Sequence, residues 1–166
     1  LGAMFMRRAL NTQLPPQGHF FNAEFPGKRF TPAGPDHAQI AAVNGMMDYL
    51  HAVAERHGSG GKPVQDQAAT VRTLFRDHET ELLQPLLDYL SHHPKIRMIG
   101  RNLAVDRAPT VAFTVEGQSS AALAERLAQA KLGVGVGNFY AYRLVKALGI
   151  DVDDGVVRVS FVHYTS

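Results

Sequence analysis

An arginine in the middle of an apolar run is the feature of this chain most suggestive of chemistry. Arg158 sits in Val156-Val157-Arg158-Val159-Ser160-Phe161-Val162, a run whose other residues nearly all suit a half-buried strand. A guanidinium there either points to solvent from an edge strand or meets an anion with its rigid fork of donors. On the residues alone both readings stand.

The other chemically suggestive patterns read as structure. Gly133-Val134-Gly135-Val136-Gly137 permits close backbone approach to a phosphate, but Asn138 stands where the dinucleotide fingerprint needs its third glycine, and no Gly-Lys-Ser/Thr follows. A strand that needs small residues for packing or tight turning is the better reading. The eight histidines include the adjacent pair His92-His93 but no His-Glu-x-x-His, so no metal site is expected, and the pair suits the carboxyl end of a helix. Asp151-Val152-Asp153-Asp154-Gly155 has its glycine one residue early for a calcium loop and lacks the closing Glu; a turn into the last strand is expected. Ser119-Ser120 lacks a nucleophile-elbow pattern. The absence of cysteine excludes a disulfide scaffold, a thiolate zinc site and a cysteine nucleophile within the chain.

The elements that would position Arg158 follow from periodicity. Residues 1–6 read as a short buried strand, and residues 11–35 as a long irregular stretch rich in Pro, Gly and aromatics, which is usually functional or covers a partner. Asp36 and Gln39 form a capping-box start for a helix whose stripe is Ile40, Val43, Met46, Met47, Leu50 and Val53. The run His57-Gly58-Ser59-Gly60-Gly61-Lys62-Pro63 ends it. A second helix is predicted over 65–91, with a kink or break at Pro85. Strands are expected at 95–100, 110–115, 134–136 and 156–162, with helices from Ser119 or Ser120 to Gly133 and over 140–148. The sum is an α/β (α+β) sandwich: a mixed sheet of about four short strands covered by helices on one face.

With 166 residues, 45% hydrophobic and 19% charged, the chain is long enough for one packed domain or one domain with a docked segment. A net charge of only +2, with the basic residues scattered, gives no reason to expect nucleic acid. No apolar window approaches the ~20 residues of a membrane span, no signal peptide is visible, and a cytoplasmic setting is expected. Leu1-Gly2-Ala3-Met4 has no initiating context, so the chain is expected to begin inside a larger protein.

Five segments carry a resemblance. His19-Phe20-Phe21-Asn22, Arg29-Phe30-Thr31-Pro32-Ala33-Gly34-Pro35-Asp36-His37, Pro109-Thr110-Val111-Ala112-Phe113-Thr114-Val115-Glu116-Gly117, Gly137-Asn138-Phe139-Tyr140-Ala141-Tyr142-Arg143 and Asp154-Gly155-Val156-Val157-Arg158-Val159-Ser160-Phe161-Val162-His163-Tyr164 occur in the order found in the carboxy-terminal part of class V aminotransferases, cysteine desulfurase-like branch. The chain resembles that part over nearly its whole length. The resemblance implies a fold-type I enzyme dependent on pyridoxal phosphate, homodimeric, acting on an amino acid. Residues 1–35 would be the tail of the large domain and a subunit-contact loop, 36–63 a connecting helix and linker, and 64–166 the small domain.

Carried onto this chain, the resemblance makes Arg158 the binder of the substrate α-carboxylate. It places Ala33-Gly34, through Gly34, at the cofactor phosphate of the neighbouring subunit, without the side-chain hydroxyl that some desulfurases have there. Tyr140 stands in the segment where desulfurases carry their persulfide-forming cysteine, so desulfuration by that route is not expected. None of Lys28, Lys62, Lys95, Lys131 or Lys146 matches the family's Schiff-base lysine, and no catalytic residue is expected in this chain, which would be inactive without its large domain. The reading from another class is a stand-alone α/β binding or regulatory module.

Overall fold

The computed structural model describes residues 4–31, 34 and 36–165. It divides into two compact units, residues 1–68 and 69–166.

The second unit holds the sheet. Strands β1 (Ile96–Ile99), β2 (Thr110–Val115), β3 (Gly135–Gly137) and β4 (Val156–Ser160) lie in the order β1-β2-β4-β3, and each neighbouring pair is antiparallel. The four strands are where the sequence puts them, but the sheet is antiparallel throughout rather than mixed. A parallel neighbour needs a crossover that carries the chain back along the sheet. Here the link from β3 to β4, made of a loop at 138–141, the six-residue helix α5 (Tyr142–Ala147) and a turn at 151–155, returns the chain beside β3 in the opposite direction.

Residues opposite each other across the strands share a face, and faces alternate along each strand. Val111 lies opposite Val159 and Phe113 opposite Val157; these apolar positions face the helices. The long helix α3 (Val64–His92) contributes Leu83, Leu87 and Leu90, spaced three and four apart, and α4 (Ser120–Gln129) adds Leu123 and Leu127. Leu83, Leu87, Val111 and Val157 have no exposed surface. Each such side chain contributes on the order of 1.5–3 kcal/mol by leaving water.

Helix α3 runs through Pro85 as one helix, so of the expected kink or break the break does not occur. An interior proline costs about 3 kcal/mol, because it removes one donor and crowds the carbonyl four residues back. Pro85 and Glu81 are both exposed, so water can serve that carbonyl, while Leu83, Leu87 and Leu90 hold the helix on the core from both sides of the proline. The connection from β1 to β2 is fastened by Arg107, which donates to the carbonyls of Ile99, Arg101 and Thr110. Burial pushes its pKa below the usual arginine value.

The first unit is helical. Its short helix α1 (Arg8–Gln13) ends against Arg29, which donates to the carbonyls of Asn11 at 3.1 Å and Leu14 at 2.5 Å, groups that a helix end leaves without partners. Two 3₁₀ turns, Phe20–Asn22 and Pro26–Lys28, interrupt the stretch expected to be irregular. Met4 to Arg7 form no strand, and the Phe5 side chain is 89% exposed; the rest of the expected strand, residues 1–3, lies outside the described residues. A strand needs a neighbour for its backbone groups, and none of the described residues pairs with this segment.

Helix α2 (His37–Arg56) starts at the expected cap, with the Asp36 side chain accepting from the Gln39 N–H at 3.1 Å. Its predicted apolar stripe divides: Ile40, Val43 and Met46 are exposed, Leu50 and Val53 half-buried, and Ala54 fully buried. The glycine run closes on itself through Ser59 Oγ to the Ala54 carbonyl and Gln67 Nε2 to the Lys62 carbonyl.

Candidate functional site

Arg158 lies on β4 between Ala112 of β2 and Gly135 of β3. Strand alternation puts it on the sheet face opposite Val157 and Val159, away from the leucine core, and its side chain is exposed. It is not on an edge strand, because β4 has a neighbour on each side. Among the described residues Arg158 has no carboxylate within ion-pair distance and no protein hydrogen bond. Its guanidinium carbon instead rests 3.9 Å from the centre of the Phe139 ring, a cation–π contact.

Glycines make that contact possible. A Cβ on Gly135 would sit 2.9 Å from the Phe139 ring and 3.8 Å from Arg158 Nε, so any side chain there would displace the ring. Gly155 has φ +67° and is so close to Gly137 that a Cβ would collide with the Gly137 carbonyl. The two glycines let the loop leaving β3 cross the turn entering β4, and the loop then folds back over Arg158.

The loop itself is strained. Phe139 and Tyr140 have φ of 51° and 61°, a region that costs a residue with a side chain roughly 1–2 kcal/mol. Asn138 holds it there: its Oδ1 accepts from the Tyr140 N–H and its Nδ2 donates to the Val152 carbonyl, both at 3.1 Å. The result is that Tyr140 points fully into solvent.

The turn before β4 is the expected one, closed by the Asp153 N–H on Asp151 Oδ1 at 2.9 Å and the Gly155 N–H on the Asp151 carbonyl at 2.8 Å. Asp154 reaches the start of α4, accepting from the Ser120 N–H at 2.9 Å and from Ser119 Oγ at 2.7 Å. Those donors, the Ser120 N–H foremost, hold its carboxyl below the usual carboxylate range.

The structure therefore brings Arg158 together with the loop that carries Tyr140. Gly34 belongs to the first unit; it is exposed with open space around it, and Ala33 lies outside the described residues. Sequence reasoning gives no role to Phe139, Asn138 or Gly135. The signal is present in the glycine spacing, which taken alone reads as strand packing; an aromatic residue shortly after glycines that flank a charged strand is the pattern that points to the stack.

The family profile described as "Aminotransferase class-V" matches residues 70–166. An aminotransferase-like protein of Gibberella zeae, FGM3, is 34% identical over the whole of this chain, which spans 39% of it, and a nonribosomal peptide synthetase-like enzyme of Aspergillus fumigatus, fsqF, is 37% identical over 53% of this chain and 6% of its own length. Among solved structures, the cysteine desulfurase of Thermococcus onnurineus NA1 superposes on 62% of this chain with a TM-score of 0.51 and 25% identity, covering 25% of that chain. The Escherichia coli cysteine desulfurase CsdA superposes on 82% with a TM-score of 0.55 and 20% identity, covering 28% of that chain. This chain thus spans well under half the length of each of these proteins. Since the profile takes in the sheet, its helices and the whole Arg158 cluster, the chain belongs to the class V aminotransferase family.

Proposed function

We propose that the chain is the C-terminal small domain of a homodimeric pyridoxal phosphate enzyme that acts on an amino acid, and that Arg158 receives the substrate α-carboxylate. One observation carries the reading: a guanidinium on an inner strand with no carboxylate or carbonyl partner among the described residues. A planar fork of this kind fits a carboxylate with two parallel hydrogen bonds. The motif match at 154–164 supports the same assignment.

The residues of this chain do not by themselves make a site for the cofactor ring. None of its five lysines is buried, whereas a lysine that forms a Schiff base must be desolvated and positioned. The lysine is therefore assigned to a preceding large domain. The cofactor bound there would supply an electron sink for transamination, elimination or racemisation. Gly34, just ahead of α2, is the one position proposed to touch its phosphate, from the neighbouring subunit and through the backbone alone. Tyr140 at the tip of the loop speaks against a persulfide on this domain, since a phenol cannot accept sulfur.

The test is Arg158→Ala in the intact enzyme, with kcat/KM for the amino acid and the melting temperature measured together. A loss of several hundred-fold with an unchanged melting temperature is expected. Arg158 is exposed in this domain, but in the proposed intact enzyme the large domain would cover the bound carboxylate, and removing one partner of such a desolvated ion pair costs about 3–5 kcal/mol. Unchanged kcat/KM with an unfolded domain would make Arg158 structural.

A further inference from the structure

We propose that Phe139 is a positioning residue: its ring holds the Arg158 guanidinium in place for a planar carboxylate without occupying any of the donors that the carboxylate needs. The proposal deepens the assignment of Arg158 as the carboxylate binder and rests on it.

An arginine awaiting a ligand has a problem of restraint. Its long side chain carries rotamer freedom, which binding must remove unless the fold has already done so. An aspartate or glutamate partner would restrain it but would compete with the incoming carboxylate for the same N–H groups. Backbone carbonyls do the same, as at Arg107, where Ile99, Arg101 and Thr110 take up the fork. An aromatic ring attracts the cation through its face and accepts no conventional hydrogen bond, so the N–H groups at the rim of the guanidinium stay free.

Three features show that the ring is placed rather than incidental. Phe139 and Tyr140 both have left-handed backbone angles, which turn the Phe139 side chain back toward β4 and the Tyr140 side chain away from it. Asn138 fastens that turn at both ends of its amide. Gly135 leaves open the volume that the ring occupies: a Cβ there would come within 2.9 Å of it. Phe139 is only half-buried and lies outside the leucine core, so packing in the hydrophobic core does not explain it.

The experiment uses the intact enzyme and, as probe, whichever of the twenty standard L-amino acids binds it most tightly by calorimetry. Affinity for that probe is compared in Phe139→Leu, Phe139→Met, Phe139→Tyr, Arg158→Ala and Phe139→Leu/Arg158→Ala, with melting temperatures alongside. Phe139→Leu and Phe139→Met are expected to weaken binding roughly 2- to 30-fold, the range of one cation–π contact, at nearly constant melting temperature and nearly constant kcat. Phe139→Tyr, which keeps the ring face, is expected to bind as the parent does. In the Arg158→Ala background Phe139→Leu is expected to change nothing, because the ring acts only through the guanidinium. If Phe139→Leu and Phe139→Met bind as the parent while Arg158→Ala has lost affinity, the positioning role is wrong and the carboxylate reading survives. If Arg158→Ala itself binds as the parent, the carboxylate reading fails and takes the positioning role with it.

Discussion

Arg107 and Arg158 belong to the same unit and sit beside the same sheet, yet their surroundings are opposite. Around Arg107 the backbone supplies carbonyls from both sides of the β1–β2 connection, and Gly100 turns there with a φ of +94°. Around Arg158 the backbone supplies glycines and an aromatic ring, and no acceptor among the described residues. A glycine serves each region differently: Gly100 meets a left-handed backbone angle, and Gly135 leaves room for the ring on which the cation rests. The difference is what the cation finds: acceptors that complete a loop in one case, and only a π face in the other. A guanidinium whose donors are taken holds structure together, and one whose donors are free is available to a ligand.

That contrast can be broken first at its strongest point. Exchanging the outcomes of the two alanine variants would refute it: Arg158→Ala is expected to reduce amino-acid kcat/KM by about 3–5 kcal/mol in transition-state terms while leaving the melting temperature alone. Arg107→Ala is expected to do the reverse. Loss of charge-assisted hydrogen bonds at a half-buried site should lower the unfolding free energy by about 1.5–3 kcal/mol, read by urea denaturation, with little change in substrate affinity.

A smaller effect tests how the turn before β4 is anchored. Asp154 has a folded pKa below its unfolded one, so its contribution is present above the ordinary carboxylate pKa and disappears as pH falls through the lower, folded value. Melting temperature should therefore decline in acid below about pH 4. Asp154→Asn should remove that part of the decline and cost about 1 kcal/mol at neutral pH, as other losses at the start of a helix do. A parent and variant with the same acid profile would show that the Ser119 and Ser120 contacts contribute nothing.

The smallest effect sharpens the comparison. Gly135→Ala should shift the Phe139 ring by the few tenths of an ångström that its 2.9 Å approach demands, lowering substrate affinity a few-fold, about 0.5–1 kcal/mol, with stability nearly unchanged. The analogous Gly100→Ala should act on stability alone, since its φ is left-handed and its neighbour is the structural arginine.

The parts of the fold legible in the sequence are those set by local chemistry. Asp36 caps α2 and Ser119 caps α4 because a side-chain oxygen at that position can reach an orphan N–H whatever the rest of the chain does. The four strands and the leucine spacing of α3 are legible for the same reason. Strand direction is not, because the pattern of 156–162 is the same whichever way the chain runs. At Pro85 a break is among the outcomes the sequence offers because the local penalty is visible while the flanking leucines' burial is not. Residues 4–6 mislead in the other direction: Met4-Phe5-Met6 is apolar enough for a strand but has no strand to pair with among the described residues. At the site, Arg158 stands out as a charge amid valines, whereas Phe139 is an ordinary aromatic in sequence and acquires meaning only through a backbone angle that no residue type announces.

The left-handed pair at 139–140 also bears on how this protein would respond to stabilisation by design. Any scheme that ranks positions by backbone comfort would choose glycine at Tyr140, since a φ of 61° favours glycine over every residue with a side chain. The exchange would relieve about 1 kcal/mol of strain, yet it would also loosen the segment that orients its neighbour's ring. The loop is thus a place where a more heat-resistant protein and a more capable one call for different residues, and thermal screening alone would select the wrong one.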